Sequence, residues 1–239
     1  MLTPTRVSVK LETMNIERTG EWEARARVHA ALGDVTRLRI VDLLSVGDAS
    51  ASAVGGALGV PSNLLAHHLR VLERANLIGR RRSEGDGRRW YLSLGPAADP
   101  TMTGGSLLGS PPRVVFVCTA NTARSHLAAA LWRQASPIAA VSAGTHPGER
   151  IHPGAVRAAD RHGLPMAEVA PRRLDAVQRD GDLVITVCDR AHEELGRLGW
   201  AHWSVPDPVP DGTKAAFDAA YDDLASHVTA LAPRFTPGA

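Results

Sequence analysis

A cysteine, five small or polar residues and an arginine, Cys118-Thr119-Ala120-Asn121-Thr122-Ala123-Arg124, followed directly by Ser125, form the stretch of this chain best suited to chemistry. A thiol and a guanidinium at this spacing in a short loop are the parts of an oxyanion cradle. Loop N–H groups and the first turn of a following helix attract a tetrahedral anion, and an arginine fork grips two of its oxygens. The same positive field lowers a cysteine's pKa, so the thiolate becomes a nucleophile at neutral pH. Thr119, Ala120, Asn121, Thr122, Ala123, Arg124 and Ser125 are therefore the expected oxyanion-binding residues, with Cys118 the expected nucleophile. The competing reading, a buried inert cysteine beside a surface arginine, gives no reason for this loop.

Such a loop works only where a strand ends and a helix begins. Val114-Val115-Phe116-Val117 is an apolar β-type run just before it, and helical character follows it over residues 127–134. The same alternation continues downstream. Strands are expected at 114–118, 139–143, 182–187 and roughly 201–205, and helices at 125–134, 154–162, 174–179, 191–198 and 213–231. Apolar strands separated by amphipathic helices imply a three-layer α/β domain with a four-stranded parallel sheet. Ligands of such sheets sit at the carboxyl ends of strands, which is where Cys118 lies.

The front half has a different grammar. Residues 21–32 are helical in pattern. Asp34 is an N-cap candidate for a helix over 34–44 that places Leu38, Val41 and Leu44 on one face. A short helix at 50–58, the turn Gly59-Val60-Pro61 and a helix at 62–76 follow, the last with Ser62 as its N-cap and Leu65, Leu69 and Leu72 inward. Two arms, 77–82 and 88–92, flank a glycine-rich tip at 83–87 and read as a β-hairpin carrying arginines on both sides. Helix, short helix, turn, helix and hairpin is the order of a winged helix-turn-helix. Its second helix would enter the major groove and its wing would lie on backbone or in the minor groove. The expected DNA-contacting residues are Ser62, Asn63, His67, His68 and Arg70 on the helix, and Arg82, Arg88 and Arg89 on the wing. For the His67-His68 pair, one ring packed inward and the other on phosphate is as well supported as base reading.

The chain thus divides into a loose arm at 1–19, a DNA-binding domain at 20–94, a Pro- and Gly-rich linker at 95–112 and the α/β domain at 113–235. Its 239 residues suffice for two domains. The net charge of +2 is unevenly spread, at +4 for the first 98 residues and −2 for the rest, which by itself only weakly suggests two jobs, the first involving nucleic acid. No apolar run approaches the roughly 20 residues needed to span a bilayer, so no membrane partner is expected. Two distant cysteines, Cys118 and Cys188, exclude a disulfide scaffold and fit a reducing cytoplasm. His146, His152 and His162 are too scattered to form a ligand set, and no metal is expected.

Two resemblances sharpen this picture. Leu32-Gly33-Asp34-Val35-Thr36-Arg37-Leu38-Arg39-Ile40, His67-His68-Leu69-Arg70-Val71-Leu72 and Leu77-Ile78 resemble the ArsR-type repressors over about residues 25–94. That resemblance implies a homodimer on a palindromic operator. Arsenic-responsive members carry paired cysteines near the first helix of the helix-turn-helix, whereas Gly47 to Leu58 contains no thiol. Soft metalloids need thiolates, so any signal must enter elsewhere, the second domain being the candidate.

The cradle, Ser142-Ala143-Gly144-Thr145 and Asp207-Pro208 together resemble the low-molecular-weight protein tyrosine phosphatase superfamily, which includes related arsenate reductases, over roughly residues 113–235. The resemblance implies Cys118 as nucleophile, Arg124 and the loop amides as oxyanion binders, Ser125 as hydroxyl donor to the thiolate, Asn121 as keeper of the loop's shape and Asp207 as general acid. A turn carboxylate before proline is the plainer reading of Asp207. Phosphotyrosine enzymes wall a deep slot with aromatics, yet the corresponding places read Val209-Pro210 and His146-Pro147-Gly148-Glu149, which favours a small inorganic anion. Val184-Ile185-Thr186-Val187-Cys188-Asp189 resembles the reductase branch and implies Cys188 as the resolving cysteine; a buried hydrophobe ending a strand is the alternative. Thioredoxin-coupled reductases use a third cysteine downstream, and Asp189 to Trp200 has none. Either Cys188 closes the final disulfide itself, or a reducing thiol (mycothiol, glutathione or a thioredoxin system) is a co-substrate, with no bound cofactor. The expected protein is a cytoplasmic ArsR-type regulator fused to an arsenate reductase-like domain. A phosphatase tethered to DNA and a repressor that senses phosphate or arsenate without turnover are the alternatives.

Overall fold

The computed structural model describes residues 16–98, 108–167 and 169–235. Residues 1–15 of the expected arm and 99–107 of the expected linker lie outside it, while residues 16–19 already belong to the first helix, α1 (Ile16–Leu32). The next helix, α2 (Val35–Leu44), starts where Asp34, in extended conformation, accepts a hydrogen bond from the Arg37 amide at 3.0 Å. Its inward face is Ile40, Val41 and Leu44. Val41 and Leu44 face inward as expected, but Leu38 points outward at 42 % exposure and Ile40 takes its place in the core.

Ser50 caps α3 (Ala51–Leu58) through the Ala53 amide, and Gly59 ends it in the left-handed region at φ 66°. The partner helix α4 (Ser62–Arg74) follows Pro61. Pro61, not Ser62, occupies the N-cap position, so the Ser62 hydroxyl makes no cap. β2 (Ile78–Arg82) and β3 (Trp90–Leu94) pair as an antiparallel wing, and the two-residue strand β1 (Ala49–Ser50) adds to the far side of β3. Ile40, Leu44, Leu69, Leu72, Leu77 and Leu92 fill the core of this winged helix-turn-helix.

The second half is built on β4 (Arg113–Cys118), β5 (Ala139–Gly144), β6 (Leu183–Thr186) and β7 (Ala201–His202), all parallel, in the order β5-β4-β6-β7. Val114 to Val117 are wholly buried, as a central parallel strand demands. α5 (Arg124–Ala135) packs on β4 and β5 and against α9 (Lys214–Leu231), and α9 also contacts α6 (Pro153–Arg161). α7 (Asp189–Leu195) leans on β4 and β6, and the short α8 (Pro208–Asp211) leads into α9.

Two expected elements differ. Residues 174–179 make turns rather than a helix, because their polar groups are diverted to the sheet. The Leu174 amide donates to the Gly144 carbonyl at 2.9 Å, and Arg113 takes the Val177 carbonyl at 2.8 Å. β7 stops at His202, because the Ser204 amide donates to the Asp48 carboxylate of the first half at 2.6 Å.

That last contact is one of many that join the halves. The Asp48 amide donates to the His202 carbonyl at 2.6 Å, the Trp203 indole to the Val46 carbonyl, and Arg234 to the Ser45 hydroxyl at 2.7 Å. A Cβ on Gly47 would stand 2.7 Å from the His202 carbonyl oxygen, so this approach needs glycine. The wing docks as well. Ser83, the Asp86 amide and the Tyr91 hydroxyl all converge on the Glu193 carboxylate, and Arg81 pairs with Asp223 at 2.9 Å.

Candidate active site

β4 ends at Cys118 and α5 begins at Arg124, so the chain between them must turn back on itself within five residues. Asn121 makes the turn in the left-handed conformation at φ 50°, which asparagine tolerates better than most residues. Its wholly buried side chain locks the shape from both ends. Nδ2 donates to the Ser125 hydroxyl at 2.8 Å, and Oδ1 accepts from the Arg172 amide at 2.9 Å. Gly144, at the end of β5, lets the loop lie close, since a Cβ there would meet the Thr119 carbonyl at 2.7 Å.

The Cys118 sulfur sits 3.2 Å from both the Asn121 amide and the Ser125 hydroxyl. The amide donates to the sulfur, and the hydroxyl lies within hydrogen-bonding reach of it. Cys188, immediately after β6, faces the same loop, its sulfur accepting from the Thr119 amide at 3.2 Å and standing 3.4 Å from the Thr119 hydroxyl. Burial first, and then the neighbouring Cys118, push the Cys188 thiol above its ordinary pKa against the pull of Arg124. Cys188 therefore favours its protonated form.

Arg124 is 8 % exposed at its side chain. It reaches the Asp207 carboxylate at 3.0 Å, the Val205 carbonyl at 2.8 Å and Glu84 at 3.3 Å. Burial works against its charge, but Cys188, Cys118, Asp207 and Glu84 outweigh that and raise its pKa. Asp207 caps α8 by accepting from the Val209 amide at 3.2 Å, so it is both the turn carboxylate before a proline and a partner of the cradle's arginine. These groups line a cavity of about 570 Å³ whose walls include Cys118, Thr119, Arg124, Cys188, Asp207 and, from the wing, Glu84. None of its lining residues is aromatic. Among the described residues no cluster of His, Cys, Asp and Glu suits a metal ion. No helix there is long and apolar enough to cross a membrane.

Cys118, Arg124, Asp207 and Cys188 thus come together with the loop residues from Thr119 to Ser125. Of the residues expected on DNA, Ser62, Asn63, His67 and Arg70 lie exposed along α4, and Arg82, Arg88 and Arg89 are exposed on the wing. Of the two readings of the His67-His68 pair, the structure has the one with a ring packed inward, which takes His68 out of the DNA-contacting set. His68 is buried at 6 % exposure, 3.6 Å from Asp34, because position 68 falls on the same helical face as Leu65, Leu69 and Leu72. Arg82 folds back to the Gly87 carbonyl within the wing tip.

Glu84 and Arg190 were not among the expected site residues. The Glu84 carboxylate accepts from the Asp207 amide at 2.9 and 3.0 Å, its amide donates to Asp189 at 2.8 Å, and its carbonyl accepts from Arg190. Asp189 in turn pairs with His202 at 3.0 Å, both nearly solvent-free. Burial opposes its charge, but the His202 ring and the Glu84 amide hold its pKa below the usual carboxylate range. Nothing local in the sequence around position 84 marks it for this role.

A family model described as low molecular weight phosphotyrosine protein phosphatase matches residues 113–236. No curated protein sequence matches the chain. Among solved structures, an arsenate reductase from Archaeoglobus fulgidus is 28 % identical over 50 % of this chain and 98 % of its own, with a TM-score of 0.43. A tyrosine phosphatase from Escherichia coli K30 in complex with sulphate is 22 % identical over 51 % and 96 %, at 0.46. A homodimeric winged helix-turn-helix DNA-binding domain from Mycobacterium bovis, a possible ArsR-family transcriptional regulator, is 26 % identical over 38 % and 80 %, at 0.33.

Proposed function

As the chain belongs, through residues 113–236, to the low molecular weight phosphotyrosine protein phosphatase family, we propose that its second half is a cysteine-nucleophile enzyme acting on a small inorganic oxyanion, arsenate first, and that its first half binds operator DNA as a dimer in an arsenic response. The observation that carries the substrate class is the cavity itself: two thiols and an arginine within walls that hold no aromatic ring. A phenyl phosphate finds nothing to stack on there, whereas a tetrahedral anion finds loop amides and a guanidinium.

In this reading the Cys118 thiolate attacks As(V), an As–O bond breaks, and Asp207 gives its proton to the departing oxygen as water. The Cys188 thiol loses its proton and attacks the Cys118 sulfur. The S–As bond breaks, its electron pair stays on arsenic, and arsenite leaves as a Cys118–Cys188 disulfide forms. Two equivalents of an external thiol, or one dithiol protein, then reduce that disulfide in the cytoplasm. The raised pKa of Cys188 suits the second step, since this thiol holds its proton while Cys118 acts first. For DNA, the exposed line Ser62, Asn63, His67 and Arg70 supports α4 as the groove-reading helix, with Arg88 and Arg89 on the phosphates.

Arsenate with thiol reductants, against p-nitrophenyl phosphate, assayed in wild type, Cys118→Ser and Cys188→Ser, tests the reading. Arsenite formation lost in both variants is the expected result. Ester hydrolysis that survives Cys188→Ser, without arsenite, replaces reduction by the family's phosphatase chemistry. Binding of arsenate without either turnover would make the cradle a sensor.

A further inference from the structure

The wing of a winged helix-turn-helix normally ends in solvent or on DNA, and this one ends in the anion cavity. Its tip is held there by contacts that have no other evident purpose. The Glu84 amide and the Asp86 amide donate to Asp189 and Glu193 at 2.8 and 2.6 Å, and Ser83 donates to Glu193 at 2.8 Å. Gly85 lies so close to α7 that a Cβ would run into the Glu193 carboxylate and stand 3.3 Å from the Arg190 Cα. What this docking delivers is one carboxylate. Glu84 Oε2 lies 3.3 Å from Arg124 Nη1, and both its oxygens lie within 3.0 Å of the Asp207 amide.

These two donors, a guanidinium and a backbone N–H, are of the kind that binds a tetrahedral oxyanion. A carboxylate on them is an internal competitor for that anion. On the reading of the Cys118 loop as an oxyanion site, we propose that Glu84 is the gate residue of the cavity: an incoming oxyanion displaces it from Arg124, and the displaced wing tip is thereby freed from the second half. An anion with two negative charges repels Glu84 as well as replacing it, so occupancy weakens the docking on both counts. By linkage, whatever engages the free wing must favour anion binding by the same factor. The wing belongs to the half that carries α4, so occupancy of the cavity reaches that half without a thiol of its own.

The full chain carrying Cys118→Ser, which keeps Arg124 and does not turn over, is the test protein, and inorganic phosphate is the probe. Titration calorimetry should show phosphate binding about tenfold tighter when Glu84→Gln is added, and tighter again than the parent when Gly85→Val pushes the tip off α7 with the carboxylate charge intact. Hydrogen exchange at the Glu84 and Asp86 amides should accelerate in saturating phosphate. Affinities within twofold of the parent in both variants overturn the proposal. So does unchanged protection of those two amides with phosphate bound, and so does the absence of phosphate binding in every variant. The two readings fail separately. Intact turnover of wild type with a neutral Glu84→Gln removes the gate alone, whereas tighter phosphate in Glu84→Gln with no turnover of wild type removes the enzyme alone.

Discussion

Replacing Asn121 probes the cradle where its shape is decided. Asn121→Ala removes two buried hydrogen bonds, to Ser125 and from Arg172, and leaves a β-carbon at φ 50° without the local bonding that excuses asparagine there. Each lost bond costs about 1 kcal/mol, and the left-handed conformation about 1 kcal/mol more for alanine. Asn121→Ala should therefore lose about 3 kcal/mol of stability. Asn121→Gly, which loses the bonds but not the conformational freedom, should lose about 2 kcal/mol. The functional effect is separate. The Asn121 amide faces the Cys118 sulfur at 3.2 Å, and a relaxed loop withdraws that donor from the thiolate. A hydrogen bond to the attacking sulfur worth about 1.4 kcal/mol is a tenfold factor, so alkylation of Cys118 by iodoacetamide at pH 7, measured in Cys188→Ser to isolate one thiol, should slow about tenfold in both variants. Urea unfolding followed by tryptophan fluorescence reads the stability, since Trp132 and Trp203 are fully buried in this half. Two variants of equal stability, both within about 0.5 kcal/mol of wild type, together with unchanged alkylation, would refute the view that Asn121 holds the loop.

Three further outcomes are expected. His126 is buried beside Ser142, and burial lowers its pKa to about 4. The unfolded chain takes up that proton near pH 6.5 while the folded one does not, so the stability present above pH 6.5 falls by about 3 kcal/mol toward pH 4. His126→Gln should remove about that much from the slope in pH-dependent melts, His192, also held at about 4 by burial, adding a similar slope of its own that stays; an unchanged slope contradicts the assignment. Arg113 grips Asp182 through two bonds, and Asp182 is 2 % exposed. Arg113→Met should lose about 3 to 5 kcal/mol at pH 7, and Arg113→Met with Asp182→Leu should recover most of it; a single-variant loss under about 1 kcal/mol sinks the argument. On DNA, Arg70→Ala, Arg88→Ala and Arg89→Ala should each lower the slope of log affinity against log salt by about 0.9 in band-shift titrations. His68→Ala should instead lower the melting temperature and leave that slope alone, and the reverse pattern would return His68 to the interface.

The cradle was legible because everything it needs is local. A strand, a thiol, a tight loop, an arginine and a helix occupy one continuous stretch, and the apolar run Val114 to Val117 can only be a central buried strand. The helix-turn-helix was legible for the same reason, through Asp34, the Gly59 turn and the leucines of α4. Position 68 is a finer matter. Histidine suits phosphate, base or core, and its place on the face of Leu65, Leu69 and Leu72 turns this ring inward, beside Asp34. β1 is too short for any periodicity to reveal, and the turns at 174–179 follow from where Gly144 and Arg113 present their polar groups.

The sequence by itself determined which residues make the oxyanion loop and which helix faces outward with polar side chains, since both are written in spacing along one strand or one helix. Only the tertiary structure decided that the two halves share a site. Glu84 stands on a hairpin tip 40 residues before Arg124 and 123 before Asp207, a separation at which no periodicity operates. Its place depends on Glu193, Asp189 and Arg81 closing at once over a surface that neither half displays in its own pattern. Charge pairing between distant elements is decided by docking, and docking is the sum of contacts that a linear sequence does not order.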